Sequence, residues 1–232
     1  MTAGASGMLA PSGRRGAAHG AADGLWWRVG EWMPRAAGPG EPASPRADLD
    51  GGRARHLRER HEAGRDWAEA LVRERLDGRW PGFRADHPGR KPRLLGDHGL
   101  DVSISHSGTT MLVAVSRGAP VGVDIEVAPF EAFARPQLVR RMCSAAELEV
   151  FASVPDGPIR RRALARAWTV KEATLKASGI GLAQDPRRVE VDARAILSDP
   201  EHGSREGALD TAPEWSIVRL LASGAELRHP NR

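Results

Sequence analysis

The stretch Asp101-Val-Ser-Ile-Ser-His-Ser107, with Met111-Leu-Val-Ala-Val115 and Val121-Gly-Val-Asp-Ile-Glu-Val127 behind it, decides the class of the fold. Its period is two. Val102, Ile104 and His106 alternate with Ser103, Ser105 and Ser107, and Val121, Val123, Ile125 and Val127 alternate with Gly122, Asp124 and Glu126. Successive side chains on a strand point to opposite faces, so each run reads as a half-buried strand. Met111 to Val115 is apolar throughout and reads as a buried strand. Arg117-Gly-Ala-Pro120 turns the chain. Together these segments predict a run of antiparallel strands.

Working outward, the period changes to that of a helix. Toward the C-terminus a helical stretch begins near Pro136, and Ser144-Ala-Ala-Glu147 has the form of a capping box. Val154 to Pro158 reads as loop. Ile159 to Ala177 predicts a long helix, stopped by Ser178-Gly179. Residues 180–232 read as strands and turns, with a strand over Trp215 to Leu221. Toward the N-terminus, residues 79–98 read as loop, and Arg53 to Leu76 is helical, with Trp67 and Leu71 at i, i+4 spacing. Gly24 to Trp32 predicts an aromatic-rich strand. Residues 1–23 and 35–53, rich in Gly, Ala, Pro and Ser, are expected to be loose. The resulting division is a low-complexity segment over 1–23, an N-terminal subdomain over 24–116 and a C-terminal subdomain over 117–232.

Composition narrows the class. The chain has 232 residues, 41% hydrophobic and 28% charged, enough to build a core without disulfides. Its single cysteine, Cys143, excludes an intramolecular disulfide and a cysteine-based zinc site. No apolar run reaches about 18 residues, and the first 24 residues lack the apolar core of a secretory signal. A cytoplasmic monomer with no membrane contact is expected. Basic residues are lopsided, with 31 arginines against three lysines, and tyrosine is absent. A GC-rich genome accounts for the arginines, which makes the retained Lys91, Lys171 and Lys176 more informative. The net charge of +4 is small, and arginines alternate with acids, as in Arg58-Glu-Arg60. A basic nucleic-acid-binding module is therefore a poor fit.

Three constellations carry chemistry. Asp124 and Glu126 share one face of a strand, about 6–7 Å apart along the backbone. At an effective dielectric near 20, their repulsion at about 6 Å is roughly 2–3 kcal/mol. Such a pair is either a solvated strand face or a site for a cation, and magnesium takes oxygen ligands of this kind. On the predicted helix, at about 100° per residue, Leu164, Trp168 and Leu175 form an apolar stripe. Glu172 and Lys176 lie at its edge as i, i+4 neighbours, and Lys171 falls inside it. This is either a helix-stabilising ion pair or a charged edge facing a cleft. Ser105-His106-Ser107-Gly108 ends a strand, where His106 is either a satisfied core histidine or part of an anion site. A Ser-His-Asp hydrolase is disfavoured, because no nucleophile-elbow motif is present.

The order and spacing of the three motifs resemble a 4'-phosphopantetheinyl transferase of the Sfp type. The resemblance spans about Arg53 to Val191. It rests on Ser103-Ile-Ser-His-Ser107, on Gly122-Val-Asp-Ile-Glu126, and on Trp168-Thr-Val-Lys-Glu-Ala-Thr-Leu-Lys176 with Gly179-Ile-Gly-Leu182. Gly89-Arg-Lys-Pro92 is near the family's shorter Gly-Lys-Pro motif and carries one extra residue.

This resemblance implies an α/β (α+β) fold of two similar, pseudo-twofold subdomains in one chain, with the active site in the cleft between them. It implies transfer of the phosphopantetheine arm of coenzyme A to a serine of an apo acyl or peptidyl carrier protein, with release of adenosine 3',5'-bisphosphate. Asp124, Glu126 and Glu172 would hold Mg2+, Glu172 would act as base, and Lys176 would assist pyrophosphate cleavage. Arg65, Lys91, Ser105 and His106, with Asp124 and Lys176, would bind coenzyme A. Another magnesium-dependent phosphotransferase or nuclease would use the same carboxylates, but it leaves the Trp168–Leu182 motif unexplained.

Overall fold

The computed structural model describes residues 18–22, 24–33, 48–84, 91–198, 213–221 and 224–228. Strand β1 (Ala18–Ala22) and strand β2 (Leu25–Glu31) are followed by helix α1 (Asp48–Arg73), then by β3 (Leu100–Ser107), β4 (Thr110–Arg117) and β5 (Val121–Glu126). Helices α2 (Pro136–Met142), α3 (Ala145–Ala152), α4 (Pro158–Ala177) and α5 (Ala193–Ser198) come next, and β6 (Glu214–Leu221) and β7 (Gly224–Arg228) complete the order. The strands form two antiparallel sheets, β1-β2-β4-β3 and β5-β6-β7. The mixed α/β class expected from the sequence is the one observed. No described helix is long and apolar enough to cross a membrane.

The apolar run of β4 is explained by burial on both faces. Met111, Val113 and Val115 pack with Val102 against Ala68, Leu71 and Val72 of α1. Leu112 and Ala114 turn the other way, with Leu25 and Val29, onto Val121, Val123, Ile125 and Ile217 of the second sheet. Arg219 Nε of β6 donates to Ser116 Oγ of β4 at 3.0 Å, a second tie between the sheets.

The antiparallel run predicted over residues 102–127 holds for β3 and β4 and fails at β5. Both edges of β4 are already taken, by β2 and β3, so β5 has no edge to join there and pairs with β6 instead. It lies beside β3 in the same direction, and side chains of β3 replace a ladder. Asp101 accepts a hydrogen bond from Val121 N at 2.7 Å, and Ser103 Oγ accepts one from Val123 N at 3.1 Å. Ser105 Oγ donates to Asp124 at 2.7 Å, and Ser107 Oγ donates to Glu126 at 3.0 Å. One face of β3 thereby fixes the position of the acidic strand.

Two glycines let helices rest directly on these strands. A Cβ on Gly122 would sit 1.8 Å from the Ala173 carbonyl oxygen, so β5 meets the backbone of α4. A Cβ on Gly64 would sit 2.8 Å from Ile104 Cγ2, so α1 closes on β3 in the same manner.

Three details depart from the sequence reading. Ala18–Ala22 lies within the segment 1–23 expected to be loose, yet it pairs with β2, because ladder hydrogen bonds come from the backbone whatever the side chains. Helix α1 begins at Asp48, inside the stretch 35–53 read as loose, because an established helix extends at little cost beyond its nucleus. A short helix, α5, interrupts the strands and turns expected after residue 180, with Asp192 accepting from Ala195 N at 2.9 Å at its start. Residues 1–17 lie outside the described residues.

Candidate active site

Helix α4 carries the densest part of the site. Pro158 occupies its first turn, and Ala163, Leu164 and Ala167 bury against Phe133, Met142 and Phe151. The capping box of α3 forms as expected: Ser144 accepts from Glu147 N at 3.3 Å and Glu147 accepts from Ser144 N at 2.8 Å. The other oxygen of Glu147 takes an ion pair from Lys171 at 2.9 Å and a hydrogen bond from Val191 N at 3.2 Å. Lys171 is fully buried and also donates to the carbonyls of Pro186 and Val189. It is thus a lock between α4, α3 and the segment 186–191, and Glu172, about 100° further round the helix, lines the cavity.

A cavity of about 680 Å3 opens between α1 and β3 on one side and β5 and α4 on the other. All eight residues singled out by the sequence line it: Arg65, Lys91, Ser105, His106, Asp124, Glu126, Glu172 and Lys176. The Lys176 ammonium is the centre of the array. It stands 2.8 Å from Asp124 Oδ1, 3.4 Å from Glu172 Oε1 and 3.1 Å from Ser105 Oγ, the last as a donor. Burial opposes its charge, but the Asp124 and Glu172 carboxylates outweigh that and raise its pKa above the usual lysine range.

Asp124 is buried, and burial pushes its carboxyl up to about 7, with Glu172 adding repulsion against the pull of Lys176. Its second oxygen, Oδ2, is buried without a hydrogen-bond partner among the described residues. Burial likewise raises Glu126, while Ser107 and the Trp168 side chain hydrogen-bond it and pull the other way. His106 is held neutral: burial, then the Arg60 charge, lower it to about 4.

The sequence residues are not equally free. Lys91 is already paired with Asp101, and burial lowers its pKa. The Arg65 guanidinium lies over the Phe83 ring, 5.0 Å from its centroid. Sequence reasoning overlooked Arg60 and His61 of α1, which line the same cavity. Their signal was available: Arg60 lies four residues before Gly64, on the helix face that the glycine brings against β3.

The fit to a divalent cation is chemical. Asp124, Glu126 and Glu172 are hard oxygen donors, and Asp124 Oδ2 is a buried acceptor with no donor to it among the described residues. Among the described residues no group of three acidic, histidine or cysteine side chains closes around a point. Lys176 stands between Asp124 and Glu172. One or two carboxylates are the usual protein share for magnesium, with phosphate oxygens and water completing the shell.

Residues 120–217 match the family described as the 4'-phosphopantetheinyl transferase superfamily. The 4'-phosphopantetheinyl transferase HetI of Nostoc sp. is 32% identical over 174 residues, which cover 71% of this chain and 66% of that protein. The chain belongs to the 4'-phosphopantetheinyl transferase superfamily. Two mammalian members, the L-aminoadipate-semialdehyde dehydrogenase-phosphopantetheinyl transferases of Mus musculus and Homo sapiens, are each 29% identical to it. The matched stretches cover 67% and 71% of this chain and 55% and 53% of theirs, so the chain spans about half to two thirds of these relatives. The superfamily match begins at residue 120 and takes in Asp124, Glu126, Glu172 and Lys176. Ser105 and His106 precede it, and β3 joins them to the same cavity.

Proposed function

We propose that this protein transfers the phosphopantetheine arm of coenzyme A to a serine hydroxyl of an apo acyl or peptidyl carrier protein. The observation that carries the reading is the meeting of three motifs, distant in sequence, around the Lys176 ammonium: Ser105 of the first, Asp124 of the second and Glu172 of the third. The family membership and the relatives' names support the same reaction.

In this reading the serine oxygen bonds to the β-phosphorus of coenzyme A, and the bond to the adenosine bisphosphate oxygen breaks. Glu172 accepts the hydroxyl proton, being partly buried on the cavity wall and open to an entering group. Lys176 balances charge on the pyrophosphate as the leaving group departs. Asp124, with Glu126 or Glu172, would hold magnesium, which would neutralise pyrophosphate charge. Ser105 orients Asp124, and Ser107 with Trp168 orients Glu126. His106, uncharged at neutral pH, offers a hydrogen bond without adding charge. We extend the proposal to a division near residue 117, with a 24–116 half and a 117–232 half each contributing one wall.

The test is a mass spectrum of an apo carrier protein incubated with this protein, coenzyme A and magnesium. The expected product carries the phosphopantetheine mass, and Glu172→Gln, folded as judged by melting, lowers the rate by about a hundredfold or more. A folded wild-type protein that modifies no carrier in a broad panel overturns the reading.

A further inference from the structure

A second cavity, of about 690 Å3, opens past the C-terminal end of α1. Among the described residues it shares none of its lining with the reaction cavity. Its walls come from the chain that follows α1, from residues 95–98 and from the end of β4. Arg117 of β4 stands in register with Leu100, whereas His106 pairs with Met111 beside the β3–β4 turn. Arg117 and His106 thus lie roughly 20 Å apart along the strands.

The walls of this cavity are held in place by the protein itself. Gly78 N donates to the Arg73 carbonyl at 2.9 Å, and Arg79 N donates to the Leu76 carbonyl at 2.9 Å. The Arg117 side chain donates to the Arg75 carbonyl at 3.2 Å. Phe83 meets Trp80 edge to face, with 4.9 Å between centroids and 82° between planes, and so fixes the Trp80 ring on the cavity wall. Leu76, Pro81 and Leu95 extend the apolar surface, and Leu95 is 47% exposed.

The charge is one-sided. Arg75, Arg79 and Arg117 line the cavity with one carboxylate, Asp77. The Arg75 guanidinium lies over the Trp26 ring, 4.7 Å from its centroid, and Glu74 reaches one of its terminal nitrogens at 3.5 Å. Its Nε is buried with no hydrogen-bond partner among the described residues. Guanidinium forks match phosphate oxygens, and a tryptophan ring beside them offers a stacking face to a base. Asp77 separates a bare anion from a nucleotide. A carboxylate repels the first, but it accepts hydrogen bonds from the ribose hydroxyls of the second. The volume falls in the range of small-ligand pockets, about 300–1,000 Å3.

We propose that this cavity binds a nucleotide, with phosphates on Arg75, Arg79 and Arg117, the base on Trp80 and the ribose at Asp77. The site is separate from the reaction cavity and does not depend on the transferase reading.

The experiment photolabels the full chain with 8-azido-ADP and maps the modified peptides by mass spectrometry. Modification is expected within residues 75–81 or 95–98, apart from any in the reaction cavity. Arg79 is exposed and outside the proposed catalytic machinery. Arg79→Glu is expected to lower labelling of 75–81 and 95–98 by about ten- to a hundredfold at subsaturating probe, the range of a charged hydrogen bond. Trp80→Ala is expected to lower it by about tenfold, the share of a stacked base. Labelling confined to the reaction cavity overturns the proposal and leaves the transferase reading standing. So does labelling at 75–81 that a folded Arg79→Glu protein retains in full, and this variant decides if Trp80→Ala does not fold. Hexaglutamate that protects the site as well as unlabelled ADP also overturns it, since the surface then takes acidic peptide in place of nucleotide.

Discussion

At the scale of single residues, the site is governed by one buried carboxylate that holds more proton than a free aspartate would. Asp124 titrates near 7 in the folded protein, through burial and then Glu172, against an ordinary value of 3.8. Between those values the folded state binds a proton that the unfolded state has lost. The group's contribution is therefore fully present below about pH 4 and is lost as pH rises toward 7. His106 acts oppositely over an overlapping window. Its folded value near 4 lies below the ordinary 6.5, so its contribution is lost as pH falls from 6.5 toward 4. A cation at Asp124 competes with the proton. Magnesium is thus expected to raise the melting temperature clearly at pH 8, less at pH 6 and hardly at pH 5, as read by calorimetric melts. An equal rise at all three values would remove Asp124 from the magnesium site.

At the scale of elements, Lys171 shows how a motif residue serves the site without entering it. Its ammonium holds Glu147 and two carbonyls in a fully buried pocket, tying α4 to α3 and to segment 186–191. Removing one partner of such a pair leaves an uncompensated buried charge. Lys171→Met is expected to destabilise the fold by about 3–5 kcal/mol in guanidinium titrations, and adding Glu147→Gln should recover part of the loss. A single substitution costing under about 1 kcal/mol would show that the pair is not a structural lock. The two neighbouring lysines on α4 thus divide their work: Lys171 faces the core and Lys176 the cavity.

At the scale of the whole molecule, the cavity draws its walls from both sheets and from the helix packed on each. A ligand filling it would contact β3 and β5 at once. Coenzyme A with magnesium, at about a hundred times its dissociation constant, is expected to stabilise the fold by about 2.7 kcal/mol. Hydrogen exchange should slow in β3 and in β5 together. Protection confined to one of these strands would contradict binding across the cleft.

The sequence alone determined the strands β3, β4 and β5, the helix α4 and its stop, the capping box, and eight of the side chains facing the cavity, though not Arg60 and His61. These follow from local periodicity and from the motif spacing, which survive without knowledge of partners. Only the tertiary structure decided which strand pairs with which: β5 joins β6 because the edges of β4 are full, a non-local fact. It also decided the close contacts at Gly122 and Gly64, which bring α4 and α1 to the cavity, and the state of each charge. Lys91 is paired and Asp124 is protonatable near neutrality, because burial and the nearest opposite charge are set by residues far away in the chain.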